Sequence, residues 1–187
     1  NQPDVTTFTH EPTPLFPVAL KGLEPGYRSC FDSIPIDLSR YHILCETYDF
    51  LNVDVLGGKP LREIYPGLKA GDKKWGTISE AQDEAFKFLY LLLLGELEDS
   101  NEVSRKVFEA VYFIVSRPCT FTWNTRQVVR MAHEERLVVS SKQRAVLDEW
   151  GEHGKVGEDP SDDYDFYSSF HLYMGSVDSK RFVRTWH

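Results

Sequence analysis

Three groups of side chains in this chain have the types and spacing to do chemistry. His42, Glu46 and Asp49 recur at i, i+4 and i+7, which puts an imidazole and two carboxylates on one stripe of a helix. Such a set could hold a metal or move protons. It needs ligands from a second element, and a solvated His–Glu pair is the plainer account. Glu80, Asp83 and Glu84 form a second group, and Asn101, Glu102 and Glu109 a third that would face it across a helical hairpin. Carboxylates on facing helices can bind magnesium and a diphosphate. Acids in a first helical turn are also favoured by the helix dipole alone. The metal-ligand candidates are therefore His42, Glu46, Glu80 and Asp83.

Two short stretches look like known motifs. The Asn101 to Glu109 spacing resembles the second metal-binding motif of class I terpene synthases, which would imply magnesium-dependent diphosphate chemistry on the hairpin. Its serine is displaced by one position, and no aspartate-rich first motif precedes it. Ile64-Tyr65-Pro66-Gly67-Leu68 resembles the late-domain motif by which some viral structural proteins recruit the host budding machinery. In that reading Tyr65 and Leu68, held by Pro66, fill two apolar pockets of a partner; Ile64 stands where leucine is favoured. A turn that buries its own Tyr65 and Leu68 is the alternative. A viral structural protein is thus one reading, although an acidic chain does not suit a matrix protein that must lie on anionic lipid. His133-Glu134-Glu135 opens like the zinc-protease pattern His-Glu-x-x-His, but Leu137 occupies the place of the second histidine, so a surface His–Glu pair is expected there.

Arginines interleaved with aromatics form another candidate: Arg117, Phe121, Trp123, Arg126 and Arg130. Such a set can grip phosphates and stack on bases. Internal packing and ion pairing is the competing account, and the acidic total repels nucleic acid at a distance. That total, −8, is unevenly spread. From Asp148 to Asp165 there are eight acids against Lys155 alone, a net of −7. Arg117 to Arg144 carries six bases against Glu134 and Glu135, a net of +4. The two stretches either neutralise each other and face solvent, or make a docking surface on which Glu158, Asp159, Asp162 and Asp163 steer a basic partner.

The totals suit one soluble domain: 187 residues, 41% hydrophobic and 27% charged. The chain opens on Asn1 rather than Met, as a trimmed or processed product would. No signal-peptide pattern and no membrane-length apolar run is visible. Cys30, Cys45 and Cys119 are an odd set without CxxC spacing. That argues against a disulfide framework or zinc cage and points to a reducing compartment, the cytoplasm or nucleus.

The elements that must position these groups follow from periodicity. Thr77 to Ser116 is the centre. Thr77 with Glu80, or Ser79 with Gln82, has capping-box spacing, and Phe88 to Leu94 is apolar throughout. A helix apolar on every side belongs in a core. Val103, Val107, Ala110, Val111 and Ile114 repeat as one face of a second helix, so the stretch reads as a buried hairpin. Asp37 can cap a helix over Leu38–Leu51. Asn124 or Thr125 can cap one to about Leu137, and Ser140 or Ser141 one to Trp150. Five prolines before Gly26 predict an extended N-terminal arm over residues 1–26, anchored by Leu15, Phe16, Val18 and Leu20. Lys59 to Leu68 reads as loop with one turn after Pro60. Residues 151–163 read as a flexible acidic loop, and Asp163 to Met174 as a further helix. A short strand pair near Thr120 to Trp123 and the C-terminus is compatible with the alternating aromatics.

The fold expected is mainly α: one helical bundle of five or six helices over residues 27–187, with the proline-rich arm and minor β at most. The function expected is a non-catalytic interaction or structural protein, contacting partners through the arm and the acidic loop. The alternative is a metal-dependent enzyme using the hairpin carboxylates. The expected partner is a protein, basic where it meets the acidic run, or a second copy of the chain in a homo-oligomer. Nucleic acid is disfavoured, and no cofactor is expected.

Overall fold

The computed structural model of the chain describes residues 13–70 and 78–150. Among them are eight helices and no strand: α1 (Phe16–Leu23), α2 (Arg28–Ser33), α3 (Leu38–Phe50), α4 (Leu61–Ala70), α5 (Ile78–Leu93), α6 (Asn101–Val115), α7 (Trp123–Arg136) and α8 (Ser141–Glu149). The acidic loop, the segment after it, residues 1–12 and Thr77 lie outside the described residues.

Helix α5 carries out what its composition demands. Ala81, Ala85, Phe86, Phe88, Leu89, Leu91, Leu92 and Leu93 are all buried, and neither Tyr90 nor Leu94 is fully exposed. Burying every side takes several neighbours, and α5 packs against α4, α7, α2 and α3. Helix α6, its sequence neighbour, is not among these principal partners; α6 packs on α7 and α4 instead. The expected hairpin therefore forms two consecutive helices that are not paired face to face. A two-helix hairpin covers each helix on one side only, and α5 needs cover all round.

Phe86 joins three helices through aromatic contacts. Its ring stacks on Tyr27 at 5.3 Å and meets Phe31 and Tyr48 edge-on at 5.7 and 5.9 Å, geometries that suit the ring quadrupole. Asn124 on α7 ties in α2 by donating to the Phe31 carbonyl at 3.2 Å.

Four N-caps are side-chain oxygens: Asp37 accepts from Ser39 N, Ser100 from Val103 N, Thr122 from Thr125 N and Ser140 from Gln143 N. Ser140 and Gln143 complete a capping box on α8. The α7 cap falls at Thr122, two or three residues before Asn124 or Thr125, so Trp123 begins a helix rather than ending a strand. At the other end of α3, Asn52 takes a left-handed φ of 53°. Val53 N bonds Tyr48 O and Asn52 N bonds Asp49 O, the paired bonds of a Schellman cap.

Two stretches expected to be irregular are helical. Phe16–Leu23 forms α1 despite its proline, because Pro17 sits in the first turn, where no backbone donor is used. The extended arm expected over residues 1–26 thus does not hold for this part. Leu61–Ala70 forms α4 although Pro66 lies inside it. Proline there forfeits one helical bond; burial of Ile64 and Leu68, one turn apart, offsets it. With these and α2, the helix count exceeds the five or six expected.

Close approach of α1 depends on Gly22. A Cβ there would lie 2.1 Å from the Tyr48 hydroxyl and 2.9 Å from Cys30 Sγ. The Tyr48 hydroxyl donates to the Ala19 carbonyl at 3.0 Å, which leaves the Cys30 thiol, 3.4 Å away, to donate to the phenol oxygen. Gly22→Ala must displace this linkage, and overpacking of that kind costs about 1–3 kcal/mol. A lowered urea midpoint with an unchanged m-value is the expected result; an unchanged midpoint would show that α1 is not seated this closely.

Candidate functional site

The carboxylates singled out by spacing do not gather. Asp83 on α5 accepts from the Arg28 backbone N at 2.8 Å and from Arg28 Nη1 at 3.1 Å, so it caps α2 from a different helix. Glu84 lies inward with both Lys59 Nζ (3.1 Å) and Lys87 Nζ (2.6 Å) on Oε1. Glu46 and Glu80 are exposed. Glu102 pairs with Lys106 at 2.7 Å and Glu109 with Arg105 at 3.7 Å, each one turn along α6. His42 leaves Glu46 and meets Glu135 of α7, Nε2 to Oε1 at 2.9 Å. Among the described residues no three of His, Cys, Asp and Glu come together so as to hold a metal. His42, Glu46, Glu80 and Asp83 are therefore not one ligand set: the first joins α3 to α7, and Asp83 joins α5 to α2.

The arginine and aromatic set does come together, but inward. Arg126 is only 1% exposed. Its Nη1 donates to the Val115 carbonyl at 3.2 Å and to the Trp150 carbonyl at 3.5 Å. Val115 is the last residue of α6 and Trp150 the C-cap of α8. One guanidinium thus meets two helix C-termini, where unpaired carbonyls carry partial negative charge. Trp123 lies under the same guanidinium, ring centre at 5.4 Å, and Arg117 lies over Phe113 at 4.6 Å. Arg130, one turn on, reaches Glu134 Oε1 at 2.9 Å and the Asp148 carboxylate of α8. These partners lie within the fold, which is the pairing account of Arg117, Trp123, Arg126 and Arg130.

Tyr65, Pro66 and Leu68 are wound into α4. Leu68 is fully buried and Tyr65 half-buried beneath Lys69 Nζ at 4.3 Å. A linear motif that fills a partner's pockets needs both side chains free, and Leu68 is already spent in the core. Within the fold, Leu68 is a core residue, as the alternative of a stretch that buries its own side chains has it. Gly67 has its own use, since a Cβ there would lie 2.7 Å from Glu84 Cγ. Its bare Cα lets α4 close on α5 over the Lys–Glu–Lys cluster.

Two interior groups were missed. His133, expected at the surface, is 2% exposed, with Nδ1 finding no hydrogen-bond partner among the described residues and Phe108 at 6.1 Å. Burial holds its imidazole down at about 4. Glu84 is buried with Oε2 unpartnered among the described residues. Both were legible as interior. Arg126, Val129 and His133 share one stripe of α7, and Glu84 sits between Ala81 and Phe88 on the apolar stripe of α5.

Outward-facing features lie on the first and last of the described helices. On α1, Phe16, Leu20 and Leu23 are 39%, 43% and 45% exposed while Ala19 and Gly22 are buried. Helix α8 buries Leu147 alone and carries Asp148, the first acid of the acidic run. Glu158, Asp159, Asp162 and Asp163 lie outside the described residues.

Two outcomes follow from the buried polar groups. Arg126→Met leaves the Val115 carbonyl buried without this donor, a loss of about 1–3 kcal/mol; chemical denaturation reads it, and a midpoint equal to the parent's would refute the role. His133 has a folded pKa below its unfolded value of about 6.5. Its neutral form is thus favoured by folding. This contribution is fully present above about pH 6.5 and is lost as pH falls toward about 4, by up to about 3 kcal/mol. His133→Leu should flatten that part of the stability–pH curve; a parallel curve would show that other groups set it.

No protein-family model, no curated protein and no solved structure matches the chain.

Proposed function

We propose that the chain is a protein-interaction module that recruits a basic partner through the acidic run starting at Asp148. The observation that carries this reading is the charge distribution. The run from Asp148 to Asp165 has a net charge of −7 within a chain total of −8. A concentrated charge on a near-neutral body raises the encounter rate with an oppositely charged partner and orients its approach. Arg130, which pairs with Asp148, also serves Glu134. The outward Phe16, Leu20 and Leu23 of α1 add an apolar contact of the kind found at the centre of interfaces.

Neutralising Glu158→Gln, Asp159→Asn, Asp162→Asn and Asp163→Asn together should weaken binding of a decalysine peptide and flatten its dependence on salt. The melting temperature should stay at the parent's value. Calorimetric titration at about 50 mM and about 300 mM NaCl distinguishes the cases, because the Debye length roughly halves across that range. Equal affinity and equal salt slope for parent and variant would refute the proposal.

A further inference from the structure

Helix α3 carries large apolar side chains outward as well as inward. Ile43 and Phe50 are 38% and 61% exposed. With Thr47 they stand at i, i+4 and i+7, one stripe of the helix. Exposed apolar side chains that line up on one stripe mark a contact surface. We infer that residues 1–12 of this chain are its occupant: the N-terminal segment returns along α3 and seats Phe8 against Ile43 and Phe50. The inference goes beyond the proposed function and stands without it.

The anchoring of Pro14 argues for this occupant. Thr47, at the middle of the stripe and buried, shares its hydroxyl hydrogen between the Pro14 carbonyl and the Ile43 carbonyl, each at 2.8 Å. The backbone at Pro14 therefore meets α3 on the stripe itself. Leu15 then takes a left-handed φ of 54°, a conformation that crowds a leucine's Cβ and persists only where contacts hold it. Those contacts are the packing of Leu15 on the core and the Thr47 bond next to it. The turn sets α1 on a path of its own, whereas residues 1–12 join the chain at the stripe.

Reach and chemistry agree. Residues 1–12 read Asn-Gln-Pro-Asp-Val-Thr-Thr-Phe-Thr-His-Glu-Pro, and Phe8 is the largest apolar side chain among them. Six residues separate Phe8 from Pro14, up to about 20 Å of chain. Ile43 and Phe50 lie only about 10 Å apart along α3. Glu11 and Thr13 each precede a proline, which favours extended backbone and so preserves that reach. The Phe50 ring offers the Phe8 ring an aromatic partner. A tether this short keeps Phe8 near the stripe at an effective concentration of order millimolar. A second copy of the chain at micromolar concentration does not match it.

Urea unfolding of the full chain tests the contact as a double-mutant cycle. Phe8→Ala and Phe50→Ala should each raise the unfolding constant roughly two- to ten-fold, and the double variant should do no more than either alone. Phe50 is exposed, so its truncation leaves the core filled. Cross-linking gives a second readout in a Cys119→Ser background, since Cys119 is exposed and Cys30 and Cys45 are buried. Phe8→Cys with Phe50→Cys should form a disulfide within one chain, which requires close approach of the two positions. Phe8→Cys with Arg105→Cys, on exposed α6, should cross-link roughly ten-fold more slowly or less. Additive effects on the unfolding constant, or equal cross-linking rates for the two pairs, overturn the inference. Disulfides that join two chains overturn it as well and assign the stripe to a second copy.

Discussion

Helix α5 has no side that water can be allowed to touch, and the rest of the described core follows from that requirement. An amphipathic helix can rest on one neighbour. A helix carrying Phe86, Phe88, Leu89, Leu91, Leu92 and Leu93 cannot. Fully burying each of these large side chains contributes about 1.5–3 kcal/mol relative to leaving it in water. Covering them recruits α4, α7, α2 and α3. Phe86 sets the register on one side through Tyr27, Phe31 and Tyr48. Gly67 sets it on another by letting α4 approach.

Enclosure on every side brings polar groups inside with the apolar ones, and each has to be answered. Glu84 is met by two lysines, one from the loop before α4 and one from its own helix. Arg126 is met by the carbonyl ends of α6 and α8. His133 is answered by staying neutral, since burial lowers its proton affinity. The titratable side chains with chemical promise are thus largely engaged in joining helices: His42 with Glu135 between α3 and α7, and Asp83 with Arg28 between α5 and α2. That use differs in kind from a metal or acid–base centre, in which the same groups would converge on a ligand.

The end of the core has a different energetic character. Among the described residues, helix α8 is met by one buried leucine of its own, a half-buried tryptophan and polar contacts from Arg126 and Arg130. Polar contacts of this type weaken with ionic strength and with competing charge, whereas the burial of α5 does not.

Much of this was legible in the sequence, and the division has a physical cause. Composition and local signals determined that α5 is interior, that Asp37 and either Ser140 or Ser141 start helices, and that α6 has one apolar face. Each depends on residues within a turn or two of one another. Tertiary structure alone decided that α4 forms through Pro66, because the burial that offsets the lost bond comes from another helix. It also decided that α6 sits on α7 rather than on α5, and which partner each charged side chain takes. Glu84, Arg126 and His133 stood on apolar stripes and could have been placed inside from periodicity, but their partners could not. Those partners arrive from residues such as Lys59, Val115 and Trp150, brought near by packing of the whole core rather than by spacing along the chain.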